Sequence, residues 1–258
     1  MKKYIIYFSL LIISNIVFAQ KWDVGISAGI ANYWGDLAPS IAFNETKPAA
    51  SILARYNIST SFAWVNQFSA FQLSGDDKNF SSNKIRNLNF TSNITEYSSF
   101  IEFNFLKFGP FKRDAKFTGF TYLGFAGFSF NPQTKFDGKT YDLADLQTEG
   151  VSYSKFSFAI PFGIGIKWLF THNKCLEANV GFRRTYTDYL DDVSGKYIDP
   201  TSKTGVGGLL ADRSWEVAGE PQFKTGYQRG EPGYNDWYMQ AMLTLSIRLP
   251  SKIKCAKF

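Results

Sequence analysis

The sequence predicts an all-β protein, an eight-stranded antiparallel transmembrane β-barrel with both termini in the periplasm. Three observations predict it. Apolar and polar residues alternate with a period of two in eight runs. Each run has about ten residues or more, the length a tilted strand needs to cross a bilayer, whereas soluble strands average roughly 5–6. The connections between runs alternate long and short, as they do in a barrel whose loops face outward and whose turns face the periplasm.

The elements follow in order. Lys2 and Lys3 precede an apolar core over 4–13, and Val17-Phe18-Ala19 has the small residues of a cleavage site. This predicts a signal peptide over 1–19, cut after Ala19, and a barrel over 20–250. No Cys follows the apolar core, so the leader is not of the lipoprotein type. The first strand sets Trp22, Val24, Ile26, Ala28, Ile30 and Trp34 against Asp23, Gly25, Ser27 and Gly29. Trp22 and Trp34 then lie about 30 Å apart along the membrane normal at about 40° tilt, the spacing of two aromatic girdles. Weaker runs at 49–58 and 61–73 follow, then Tyr97, Ile101, Phe103 and Phe105 opposite Glu96, Ser98, Glu102 and Asn104. The run at 117–130 is rich in Phe and Gly, and its facing is ambiguous. Phe156 to Trp168 and Leu176 to Arg183 alternate cleanly, and Trp237 to Leu249 does so without a slip. Long loops fall at about 35–48, 74–94, 131–154 and 187–236, and a basic periplasmic tail at 251–258. The stretch 207–211 reads as a short helix over the barrel mouth.

Composition agrees. Aromatics reach 18%, with 26 Phe, and charged residues only 19%, which excludes a disordered chain. Beyond the leader no apolar run approaches the ~18 residues of a spanning helix. Lys2 and Lys3 supply two of the net +6 charges, and no basic run suits nucleic acid. The partner implied by the belt is outer-membrane lipid. Two Cys and one His leave no cofactor or metal motif. His172 falls in a periplasmic turn, the wrong end for a barrel hydrolase triad.

Eight strands enclose a lumen just wide enough for side chains. Its faces carry Asp23, Glu96, Glu102 and Glu177 against Arg55, Lys167, Arg183 and Arg248. Charges survive burial only when paired, so these eight predict a neutral structural plug; a proton or ion path is the alternative. Asp188, Asp191 and Asp192 offer hard oxygen ligands, but their spacing matches no EF-hand, and the loop is read as packing on itself through Tyr186 and Tyr189. On the periplasmic side Lys107, Lys112, Arg113 and Lys116, with Lys252, Lys254 and Lys257 of the tail, predict a docking surface for an acidic partner or peptidoglycan. Cys175 and Cys255 fall on that same oxidising side. They admit a mutual disulfide, a bond to a partner, or two free thiols.

Several stretches carry a resemblance to a known family. They are Tyr33-Trp34-Gly35-Asp36-Leu37, Phe130-Asn131-Pro132, Tyr141-Asp142-Leu143, Leu146 to Gly150, Ala159 to Gly165, Arg184 to Ser194 with its Asp188-Tyr189-Leu190-Asp191-Asp192 core, and Arg229-Gly230 with Asp236-Trp237-Tyr238. In that order they resemble the PorG-like outer-membrane barrels of the type IX secretion system of Bacteroidota. The resemblance implies a non-enzymatic component of that secretion and gliding apparatus, anchoring or contacting a periplasmic PorK/PorN-type lipoprotein ring. The alternative is a stand-alone small barrel, structural, lipid-binding or a narrow porin, unrelated to secretion.

Overall fold

A computed structural model describes residues 22–250 apart from Ser82, Phe111, Pro200, Thr201, Lys203 and Thr204. The expected leader at 1–19 lies outside the described residues, as does the tail with Lys252, Lys254, Cys255 and Lys257. The wall is built from β1 (Trp22–Trp34), β2 (Lys47–Asn57), β3 (Phe62–Asp76), β4 (Asn89–Asn104) and β5 (Phe117–Ser129). A hairpin of β6 (Pro132–Phe136) and β7 (Lys139–Asp142) and the one-turn helix α1 (Leu143–Leu146) interrupt the series. The wall then resumes with β8 (Phe156–Leu169) and β9 (Lys174–Thr185). After helices α2 (Val206–Ala211) and α3 (Trp215–Ala218) it ends in β10 (Trp237–Arg248).

Every barrel pairing is antiparallel. β10 pairs with β1 from Asp23↔Arg248 to Trp34↔Trp237, which closes eight strands into a barrel. Closure leaves no unpaired edge, and that is what allows strands to cross hydrocarbon. The alternating residues sort by that closure. Ile26, Ile52, Phe125, Phe158, Ile164 and Leu243 are among the exposed apolar side chains of a continuous outer belt. In water such a belt would drive aggregation; in a bilayer it is the lipid face. Trp22 packs on Tyr56 at one end of β1, and Trp34 lies beside Trp237 at the other. No helix among the described residues is long and apolar enough to span a membrane.

Two features differ from the sequence reading. The loop expected over 131–154 contains a hairpin. Asp137 and Gly138 both have positive φ (49° and 70°), as a two-residue turn of the type favoured in hairpins requires. β6 pairs with β4 through Thr91↔Gln133 and Ser92↔Pro132, so the wall continues beyond the membrane. The ambiguity of the 117–130 run has a cause. β5 carries aromatics on both faces, with Phe117 and Phe125 outward and Phe120, Tyr122 and Phe128 filling the lumen. Leu53, Val65, Phe100, Phe120 and Tyr122 form an apolar layer inside the barrel.

Candidate functional site

The lumen charges divide into two groups. Near the short turns, Arg55 makes two 2.6 Å hydrogen bonds to Glu177 and approaches Glu102 at 3.3 Å and Asp23 at 3.8 Å. Lys167 donates to Glu102 and to Asn104 (3.2 Å), and Arg248 donates to Asp23 (2.9 Å). Farther along, Arg183 lies 3.5 Å from Glu96, which also accepts from the Tyr238 hydroxyl. Arg248 is half-buried and the other seven charges are buried. The ammonium of Lys167 also stands 4.6 Å from the centre of the Phe120 ring, a cation–π contact of the kind that gains strength when desolvated. The cavity between Arg55, Glu102, Phe120 and Glu177 measures about 20 Å³, room for one water molecule.

The link 105–116 closes the floor. Phe108 donates its backbone N–H to Thr60 and is buried with Leu169 and Cys175. Ala115 donates back to Lys107, and Gly109 donates to Ala115. Part of this twelve-residue link folds Phe108 under the lumen. Lys107, Lys112, Arg113 and Lys116 are exposed around it. Cys175 has the inward parity of β9, so its thiol faces the barrel floor and not the outer rim.

At the other end the long loops interlock into a cap, and the 188–192 motif is its centre. Asp191 accepts from the Tyr33 hydroxyl (2.7 Å), Leu37 N–H (3.2 Å) and Val193 N–H (2.9 Å). Asp192 accepts from Thr148 and from the Tyr153 hydroxyl (2.6 Å). Burial pushes Asp192 up to about 6, against the opposing pull of Arg229. Asp188 is raised to about 7, by burial first and then by Asp36, Glu149 and Glu231. Leu190 is fully buried, and Tyr189 stacks on Tyr153 at 4.4 Å. Tyr186, paired with Tyr189 in the sequence reading, is instead 60% exposed.

Two loop arginines tie the loops together: Arg229, which the sequence reading had only within a family stretch, and Arg86, which it had not named. Arg229 binds Glu149 (3.0 Å) and the backbone carbonyl of Asp192 (2.6 Å). Arg86 binds Asp77 through two nitrogens and reaches the carbonyls of Asp36 (2.8 Å) and Arg229 (2.7 Å). Leu210 of α2 is buried in the same apolar cluster as Leu37, Leu88 and Val193. The inward parity of Tyr33 and Tyr238 was a usable signal; the loop arginines had none, because their partners lie in other loops. Among the described residues, no group of three or more His, Cys, Asp and Glu is placed to hold a metal ion. A cleft of about 470 Å³ opens at the outer rim between Trp34, Asp36, Pro39, Glu231, Tyr234 and Trp237.

Comparison with known proteins gives the following. OprG, an outer-membrane protein from Pseudomonas aeruginosa, matches with a TM-score of 0.45 at 9% identity, over 90% of this chain and 98% of its own. Ail, the attachment invasion locus protein of Yersinia pestis, matches at 0.44 and 9% identity, over 89% and 98%, in a structure with the heparin analogue sucrose octasulfate. Neisserial surface protein A matches at 0.42 and 12% identity, over 88% and 97%. No curated protein matches. The expected role in type IX secretion and gliding, with its PorK/PorN-type ring, is therefore corrected. The structures that match are small outer-membrane proteins and not secretion components. The protein resides in the outer membrane, and by a match over residues 2–219 the chain belongs to the family described as a domain of unknown function, DUF6089.

Proposed function

We propose that the protein is a stand-alone, non-enzymatic, non-conducting outer-membrane barrel that acts through its capped outer end. The observation that carries this reading is the filling of the lumen at successive levels. Phe108, Leu169 and Cys175 form the floor. Above them come the Arg55–Glu177–Glu102–Lys167 ion pairs, the Phe100–Phe120–Tyr122 layer, and the Glu96–Arg183–Tyr238 group. A cap with a buried polar network follows. An ion crossing this path would have to break several desolvated ion pairs, each costly to open. The outer rim, in contrast, offers a cleft and a folded loop surface to the medium. Reconstitution in planar bilayers tests the reading. No single-channel steps are expected, and purification in mild detergent should yield the barrel without a stoichiometric companion. Regular ohmic steps would return the narrow-porin alternative, and a stoichiometric periplasmic partner would remove the stand-alone assignment.

A further inference from the structure

Two fully buried acids in the cap have no salt bridge among the described residues. The Tyr33 hydroxyl lies 2.7 Å from Asp191 Oδ2 and 2.5 Å from Asp236 Oδ1. A phenol carries one proton, and two hydrogen bonds need two. With both carboxyls ionised, one of these oxygen–oxygen contacts would be a bare repulsion between lone pairs. The second proton therefore sits on a carboxyl, and the remaining donors show which. Asp191 also accepts from Leu37 N–H on Oδ2 and from Val193 N–H on Oδ1, the donor set of a carboxylate. Among the described residues, Asp236 accepts only Leu190 N–H, on Oδ2, which leaves Oδ1 to carry a proton toward Tyr33.

We propose that Asp236 is a neutral carboxylic acid in the closed cap, and that Asp236–Tyr33–Asp191 is a proton-ordered latch making cap closure depend on pH. Asp236 donates to the Tyr33 oxygen, and the Tyr33 hydroxyl donates to Asp191. The latch joins the wall at Tyr33, the first loop at Leu37, the start of the fourth loop at 190–193, and the entry to β10. The groups facing it are Asp36 from the first loop, Arg86 from the second and Asp188 from the fourth. From the third, Glu149 faces Asp36 and Asp188 while paired to Arg229. Arg86 pulls Asp191 downward, but its two-nitrogen contact is with Asp77; Arg213 and Arg229 line a small cavity with Asp191 while paired to Glu216 and Glu149. Burial pushes both carboxyls well above the usual carboxylate range; Asp36 adds to the rise of Asp191, and Asp191 to that of Asp236.

Closing therefore takes up a proton. The closed form is favoured at low pH, and its closing constant falls ~tenfold per pH unit between the ordinary carboxylate range and the raised value. The full-length protein in detergent micelles tests this by amide exchange at Leu190 and Val193, corrected for intrinsic rates. In the wild type the opening constant should rise with pH, by up to ~tenfold per unit, above about pH 8, where Asp188 and Asp192 are already ionised. Asp236→Asn supplies an N–H to Tyr33 and an oxygen to Leu190, so it should keep the protection and flatten the slope. Asp191→Asn lacks the acceptors for three donors and should lose protection at every pH. Infrared spectra at about pH 8 should show the carbonyl stretch of a protonated carboxyl that Asp236→Asn removes. A wild type with no such band and no slope overturns the latch. So does the opposite pattern, in which Asp236→Asn loosens the cap and Asp191→Asn preserves it. Heat-modifiable gel mobility shows whether each variant still forms the barrel, and if one does not, the wild-type band and slope decide alone.

Discussion

Glu102 holds two cations at once, Lys167 on one carboxylate oxygen and Arg55 at 3.3 Å from the other. Removing it takes the carboxylate from buried Lys167 and leaves Arg55 with Glu177 and Asp23. A buried pair broken on one side typically costs ~3–5 kcal/mol, and water entering the gap lowers that figure. Glu102→Ala should therefore lower the thermal midpoint in detergent, followed by heat-modifiable migration, and Glu102→Gln should lower it less. An unchanged midpoint would mean that the ion pairs are not energetically coupled. Strand parity was enough to place these charges in the lumen; their pairing was not legible. Arg55 sits beside Asp23 in the β1–β2 register, yet its two-nitrogen partner is Glu177 of β9. Long side chains reach across a narrow barrel, and a one-dimensional pattern has no measure of that reach. Asp188–Asp192 was visible as a motif for the same reason that its role was not: its partners Tyr33, Thr148 and Tyr153 come from β1 and the third loop.

Strands β8 and β9 show why glycine is common on the inward face. A Cβ at Gly181 would run into the Tyr122 hydroxyl, and one at Gly163 would meet the same ring and the Val180 carbonyl. These glycines make room for the aromatics that β5 turns inward, so small residues on one wall answer large ones on another. Gly181→Ala should displace Tyr122 and, as overpacking of a filled core, cost ~1–3 kcal/mol. The check is its urea midpoint for loss of heat-modifiable mobility, with Gly138→Ala in the exposed hairpin turn as a comparison. A Cβ at Gly138 meets nothing within 4 Å, but its φ of 70° is unfavourable to alanine. A Gly181→Ala midpoint equal to wild type would show that Tyr122 can move without loss. The β6–β7 hairpin was announced by Asp137-Gly138, a recognised turn pair, and went unread because its strands are short and their alternation weak.

For the molecule as a whole, the connections decide orientation. The links at 58–61 and 170–173 are tight, while those at 77–88, 130–155 and 186–236 are long and folded together. Trypsin added to intact cells should cut at exposed Lys139 beside the hairpin turn and leave Lys112 and Arg113 untouched until the outer membrane is opened. Cleavage at Lys112 in intact cells would invert the topology and with it the assignment of cap and floor. The same arrangement separates the two ends by task. One is sealed by a buried phenylalanine under a layer of ion pairs, and the other by loops whose contacts are mostly hydrogen bonds.

The sequence by itself determined the eight strands around the barrel and, except for the 117–130 run, their inward and outward faces. The period of two is a local property, and a bilayer enforces it along each spanning strand. Only the tertiary structure decided what occupies the two ends. Phe108 becomes a floor, and Asp191, Asp236 and Tyr33 meet in the cap, because closure of β1 on β10 and the folding together of four loops bring residues separated by 158 and 203 positions within hydrogen-bond distance. Such contacts depend on distances across the barrel, which no spacing along the chain encodes.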